Sequence, residues 1–200
     1  MLKSFYKNNA VTLTIILINF LIYFVSLLFF GDEPIQKVLI QGSNNRVYSD
    51  ILTFDMLFGL SFRSVAYGFW WQFFTTMFIH GSFLHLLMNM AVLFQFGTMI
   101  ENYLGKVKFT LLYLIGGLLV SLFCLIYINY SGYGGIIVGA SGAICVLFGY
   151  FATLVPKQGK PLIVMIVLLS FLPGVAWYAH IAGVIIGFVY AKFEQKFILR

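Results

Sequence analysis

The sequence predicts an all-α polytopic membrane protein: a bundle of six transmembrane helices with one long extramembrane loop after the first. Composition is the first observation behind this, since 62% of the 200 residues are hydrophobic, 19% aromatic and only 9% charged, with a mean hydropathy of +0.99. Soluble domains carry about a quarter of their residues as charges, so that class is excluded. The second observation is a series of long apolar runs. The third is a pattern of basic residues that alternates from one inter-run segment to the next.

A helix crosses hydrocarbon with about 20 mostly apolar residues, because every backbone amide must be satisfied without water. Runs of this kind cover 11–30, 83–100 and 109–130, and three shorter ones cover 141–155, 162–172 and 178–193. The first follows Lys3 and Lys7, as a secretory signal would. Its apolar core exceeds the ~7–15 residues of a signal, however, and Gly31-Asp32-Glu33-Pro34 is no small-residue cleavage site, so a retained first helix is expected. The segment 31–82 is the substantial piece outside the spans. It holds Gly42-Ser43-Asn44-Asn45 and an aromatic stretch from Tyr67 to Phe74, which places part of it in the headgroup region. Cys124 and Cys145 fall in predicted spans without CxxC spacing, which argues against a disulfide or zinc framework.

With six spans, Lys3, Lys7, Lys106, Lys108, Lys157, Lys160, Lys192, Lys196 and Arg200 share one side, against Lys37, Arg46 and Arg63 on the other. Asp32, Glu33, Asp50 and Asp55 join the minority side. By the positive-inside rule both termini are cytoplasmic. The expected organisation is a cytoplasmic N-terminus over 1–10, a membrane domain over 11–193 and a cytoplasmic tail over 194–200. The net charge of +6 then reflects topology: the partner it implies is the lipid bilayer, with no nucleic acid. The layout, with no presequence ahead of the first span, predicts a bacterial cell membrane.

Polar groups at membrane depth are costly and face a bundle interior or a wet cavity. Four stand out: His85 and Asn89 in the second span, Ser141 opening the fourth and His180 near the start of the sixth. These three spans run in the same direction, and each of the four residues lies in the outer part of its span. His85 and Asn89, four apart, share a helix face. A serine hydroxyl becomes a nucleophile when a base within hydrogen-bond reach takes its proton, and imidazole is suited to that near neutral pH. An oxyanion needs N–H donors, which the Asn89 amide, the His85 ring and the Ser141 backbone provide. No carboxylate is expected nearby, so the chemistry reads as a Ser–His dyad with the histidine oriented by packing or another hydrogen bond. Taken singly, each element has a plainer explanation. Gly139-Ala140-Ser141-Gly142 is also a small-residue helix crossing, and Gly183 with Gly187 forms a GxxxG contact signal.

In order, His80-Gly81-Ser82-Phe83-Leu84-His85-Leu86-Leu87-Met88-Asn89, then Glu101-Asn102-Tyr103-Leu104-Gly105, then Gly139-Ala140-Ser141-Gly142, then Ala179-His180-Ile181-Ala182-Gly183 running on to Gly187 closely resemble the rhomboid family of intramembrane serine proteases, over about Trp70 to Gly187. The resemblance implies a rhomboid-like six-helix bundle with Ser141 as nucleophile and His180 as general base. It implies oxyanion-side roles for His85 and Asn89, a supporting place for His80 at the top of the second helix, and a tight approach at Gly139. Gly183 and Gly187 become the small face that lets the sixth helix meet the fourth. Implied substrates are transmembrane segments of other membrane proteins, cleaved near the outer face without metal or organic cofactor. Two alternatives differ in class. An inactive rhomboid-like binding or chaperone protein usually lacks the serine or histidine, and both are present here. A transporter or metal-handling protein built on His80, His85 and His180 would need carboxylate or thiolate ligands.

Three features depart from the family pattern. Trp71-Gln72 stands where Trp-Arg is common, Cys145 stands four residues after Ser141 where an aromatic ring commonly packs on the histidine, and the fifth span is short. At 1.5 Å per residue, 162–172 gives only about 16 Å of helix, well under a ~30 Å hydrocarbon core.

Overall fold

Each of the six apolar runs falls largely within a helix of the computed structural model, which describes residues 9–31, 36–41, 47–132, 135–172 and 174–198. Lys3, Lys7, Asp32, Glu33, Pro34, Gly42, Ser43, Asn44, Asn45, Arg46, Pro173 and Arg200 lie outside the described residues. In chain order the elements are α1 (Ala10–Phe29), β1 (Gln36–Gln41), β2 (Val47–Leu52), three short helices α2 (Phe54–Phe58), α3 (Phe62–Ala66) and α4 (Gln72–Thr75), then α5 (Phe83–Leu104), α6 (Lys106–Ser131), α7 (Ser141–Leu154), α8 (Pro156–Ser170) and α9 (Trp177–Ile198). Among the described residues three helices, α1, α5 and α6, are long and apolar enough to cross a membrane, with 20, 22 and 26 residues. Their outward faces carry exposed Leu17, Leu21, Leu28, Leu111, Ile115 and Phe123, a surface that water would penalise and lipid does not. The chain is an integral membrane protein.

The segment after α1 is more structured than a loop. β1 and β2 pair antiparallel with Gln36 opposite Leu52 and Gln41 opposite Val47, a small hairpin that the all-helical expectation did not include. Runs such as Val38-Leu39-Ile40 and Val47-Tyr48 favour a pleated strand over a single helical turn. Thr53 and Ser61 then cap α2 and α3 by accepting from the Met56 and Ser64 N–H groups. Gln72, fully buried, ties these pieces together. Its Oε1 accepts from the Ser61 N–H at 3.2 Å, and its Nε2 donates to the Met56 and Leu57 carbonyls at 2.7 and 3.3 Å. The position where the family commonly has arginine thus works here through a neutral amide that is both donor and acceptor.

The fifth-span expectation needs correction. α8 starts at Pro156, six residues before the sequence-based start, and ends at Ser170, two residues before the sequence-based end. Proline is tolerated at the first helical position because that N–H has no intrahelical partner, so only Val155 separates α7 from α8. Fifteen residues give about 22 Å of helix, longer than 162–172 suggests. α9 likewise runs past 193 to Ile198.

α7 is the central element. Every residue from Gly142 to Phe151 is buried, and the helix packs most extensively on α9, then on α6 and α8. A helix apolar all round belongs in the middle of a bundle. The Glu101–Gly105 motif proves to be a connector. Glu101, 1% exposed, reaches across to the start of α1, where Oε1 accepts from the Val11 N–H at 3.1 Å and Oε2 accepts from the Thr12 N–H and hydroxyl, both at 2.7 Å. It satisfies first-turn donors that the local sequence leaves open, since the Asn9 side chain makes no cap bond. Gly105 turns the chain from α5 into α6 at φ +77°, a conformation that side chains resist. Glu101→Ala should therefore destabilise the protein by about 2 kcal/mol or more, as buried donors are orphaned. Thermal unfolding in detergent reads this, and an unchanged midpoint would refute it.

Candidate active site

Three helix N-termini meet at one end of the bundle. Ser141 is the first residue of α7, His180 lies in the first turn of α9, and His85 lies in the first turn of α5, where the Ser82 hydroxyl accepts from the His85 N–H at 3.2 Å. The approach of α7 to α9 depends on absent side chains. A Cβ at Gly183 would stand 2.5 Å from the Gly142 carbonyl oxygen, one at Gly187 would overlap the Val146 carbonyl, and one at Gly149 would overlap the Val184 carbonyl. With these three as glycines the backbones touch. Ser141 Oγ then lies 2.8 Å from His180 Nε2, although 39 positions separate them in the chain. Both side chains are partly buried, neither sealed from solvent nor open to it.

The segment before Ser141 is held from three directions. Ile137 and Leu60 exchange backbone hydrogen bonds at 2.8 and 2.9 Å, the Thr76 hydroxyl donates to the Ile137 carbonyl at 2.6 Å, and the Gly139 N–H donates to the Thr76 carbonyl at 2.9 Å. Gly139 has φ +123°, and a Cβ there would sit 2.9 Å from both Cε1 and Nε2 of His85. Glycine is required twice over, for backbone conformation and for room. The His85 ring consequently lies against the chain beside Ser141, and the His80 ring meets it edge-on at 5.0 Å. His80 is buried, and its Nε2 accepts from the Ala140 N–H at 3.5 Å, so it supports the backbone one residue ahead of Ser141. Asn89 is buried one turn along α5, and its Nδ2 donates to the His85 carbonyl at 2.9 Å. An amide has two N–H donors, and this bond uses one.

The structure thus gathers Ser141, His180, His85, Gly139 and His80 at one place, with Asn89 attached through His85. It also adds Ser170, which the sequence reading passed over. The last residue of α8, Ser170 is 1% exposed, and its Oγ lies 2.7 Å from His180 Nδ1. The signal available was a single hydroxyl in the run Leu162–Leu172. Cys145 does not act as an aromatic substitute; its Cβ packs where a Gly183 Cβ would come within 2.8 Å. A polar cavity of about 220 Å³ opens on the His80 side, lined by Ser26, Thr53, Asp55, His80 and Gly81 among others. Asp55, in the first turn of α2, has its carboxyl pushed above the usual carboxylate range by burial.

In chemical terms, the hydroxyl faces a ring nitrogen that can take its proton, at a helix N-terminus whose backbone N–H groups point outward for an anion. Residues 67–196 match the family model described as the Rhomboid domain. YdcA, a rhomboid protein of Bacillus subtilis (strain 168), is 31% identical over 156 residues, covering 71% of this chain and 75% of the relative. RHOMBOID-like protein 4 of Arabidopsis thaliana is 34% identical over 152 residues, covering 69% of this chain and 38% of its own. Rhomboid protease AarA of Providencia stuartii is 30% identical over 148 residues, covering 68% and 47%. The chain therefore spans most of the first relative and less than half of the other two. Gly187→Val should force α7 from α9 and cost about 1–3 kcal/mol through overpacking. A thermal midpoint as high as that of the wild type would count against the close-contact account.

Proposed function

The chain belongs to the rhomboid family, and from that membership we propose that it is an intramembrane serine endopeptidase with Ser141 as nucleophile and His180 as general base. The observation that carries this reading is the 2.8 Å contact between Ser141 Oγ and His180 Nε2. In the proposed first half-reaction, Nε2 takes the hydroxyl proton as Oγ attacks the scissile carbonyl carbon. The carbonyl oxygen becomes an oxyanion, and collapse of this intermediate expels the amine, which receives the proton from His180. In the second half, His180 deprotonates a water that hydrolyses the acyl-Ser141 ester and regenerates the enzyme. The oxyanion donors are the Ser141 backbone N–H, the remaining Asn89 N–H and the His85 ring. None of these steps requires a metal or organic cofactor.

Substrates in this reading are transmembrane segments of other membrane proteins. A peptide bond inside a helix is shielded by its own hydrogen bonding, so the segment must unwind before Ser141 reaches it. We place the membrane domain over 11–193 with six spans, α7, α8 and α9 completing those begun by α1, α5 and α6. Lys106, Lys108, Lys157, Lys160, Lys192 and Lys196 lie near the α5–α6 turn, the α7–α8 turn and the end of α9, away from Ser141. That distribution supports cytoplasmic termini, with the site in the opposite half of the bilayer. Exposed Tyr67, Trp70 and Trp71 suit the headgroup layer on the site's side.

With purified protein in liposomes and a transmembrane substrate, Ser141→Ala and His180→Ala should each abolish cleavage, and a fluorophosphonate probe should label Ser141 strongly only when His180 is present. Cleavage that survives both substitutions would sink the dyad. Asn89→Ala should lower kcat about 10²-fold, the scale of one oxyanion donor, with little change in KM. The opposite split would make Asn89 a substrate-positioning residue.

A further inference from the structure

We infer that Ser170, on the last turn of α8, is a positioning residue that fixes His180 in the tautomer able to accept the Ser141 proton. The inference rests on the dyad reading and concerns what aims the base. Two contacts of one hydroxyl carry it. Ser170 Oγ lies 2.7 Å from the Ile166 carbonyl oxygen and 2.7 Å from His180 Nδ1. A carbonyl oxygen can only accept, so the one Ser170 proton is directed to Ile166, a back-bond to the preceding turn of the same helix. The oxygen then has only lone pairs to offer His180, and the short contact requires a proton on Nδ1. A neutral imidazole carries one N–H. With that proton on Nδ1, Nε2 presents its lone pair to Ser141 Oγ at 2.8 Å, as a general base must.

The opposite tautomer is disfavoured at both ends. Nδ1 would face the Ser170 oxygen lone pair to lone pair unless the hydroxyl proton left Ile166, which would leave that carbonyl bond unmade in a site where Ser170 is 1% exposed. When His180 takes the second proton it becomes a donor at both nitrogens, and the Nδ1–H bond to Ser170 persists unchanged. The contact therefore serves both protonation states without rearrangement. It also answers the departure at position 145. With Cys145 packed against Gly183, the ring is oriented from α8 by a hydrogen bond. α8 and α9 must keep their spacing for the base to be aimed.

The test compares wild type, Ser141→Ala, Ser170→Ala and the equal-shaped pair Ser170→Thr and Ser170→Val. It measures kcat and KM separately on a transmembrane substrate, the rate of fluorophosphonate labelling, and the thermal midpoint. Ser170→Ala should lower kcat and labelling at least about tenfold, part of the ~10²–10⁴ that a positioned base supplies, with KM unchanged. Ser170→Thr, which keeps the hydroxyl, should retain activity that Ser170→Val loses, and this pair decides the matter should the alanine variant fail to fold. Wild-type kcat in Ser170→Ala, or equal losses in the Thr and Val variants tracking the thermal midpoint, would overturn the positioning role. Cleavage by Ser141→Ala would instead overturn the dyad reading itself, so the two failures are distinct.

Discussion

The two helices that carry Ser141 and His180 lie closer than ordinary side chains allow, and that closeness depends on Gly149, Gly183 and Gly187. Each would drive a Cβ into a facing carbonyl group. Lipid tails are as apolar as the side chains they replace, so helices in a bilayer gain little from hydrophobic association and rely on close packing and polar bonds. The α7–α9 contact meets that requirement along its length, and it sets the Ser141–His180 distance as a by-product of packing.

The rest of the structure holds that contact in register from its two ends. Near the site, the backbone before Ser141 is locked by Leu60, Thr76 and His80, and the loop carrying Leu60 is stapled in turn by the buried Gln72 amide. At the far end, Glu194 on α9 pairs with Lys108 on α6 at 2.5 Å and accepts from the Tyr150 hydroxyl on α7. Glu101 does similar work for α1, joining it to the α5–α6 turn. These polar ties are few. Each lies where a helix begins, ends or meets a neighbour, because there the backbone leaves groups to satisfy.

Motifs whose meaning is local were legible in the sequence, and motifs whose meaning depends on a distant partner were only partly so. Gly139 could be recognised as a tight-approach position, but that it yields to the His85 ring required the fold. Glu101 and Gly105 could be matched as a pair, yet nothing in the order of residues says that the carboxylate caps a helix 90 positions away. Gln72 read only as a departure, at a position where arginine is common. Its environment turns it into a three-bond staple, since the neighbours are backbone groups and an amide can both donate and accept. The bounds of α8 differ from 162–172 because that range followed the apolar run alone, whereas the helix takes in the polar turn from Pro156, where proline occupies the position at which a missing N–H costs nothing.

The sequence by itself determined the class of molecule, its helical runs and the types of group available for chemistry. Those follow from composition, from the length of hydrocarbon a helix must cross and from the rarity of polar residues within it. The family likeness, carried by spaced motifs, was also within reach. What only the tertiary structure decided is which groups touch: that α7 lies at the centre, that Ser141 and His180 meet across a glycine seam, and that a serine on α8 completes the line Ile166–Ser170–His180–Ser141. Apolar periodicity in a membrane specifies that a helix forms, but with lipid and protein equally apolar it does not say which face turns inward. The facing is settled by close packing and a handful of buried hydrogen bonds, and these exist only once the helices are assembled.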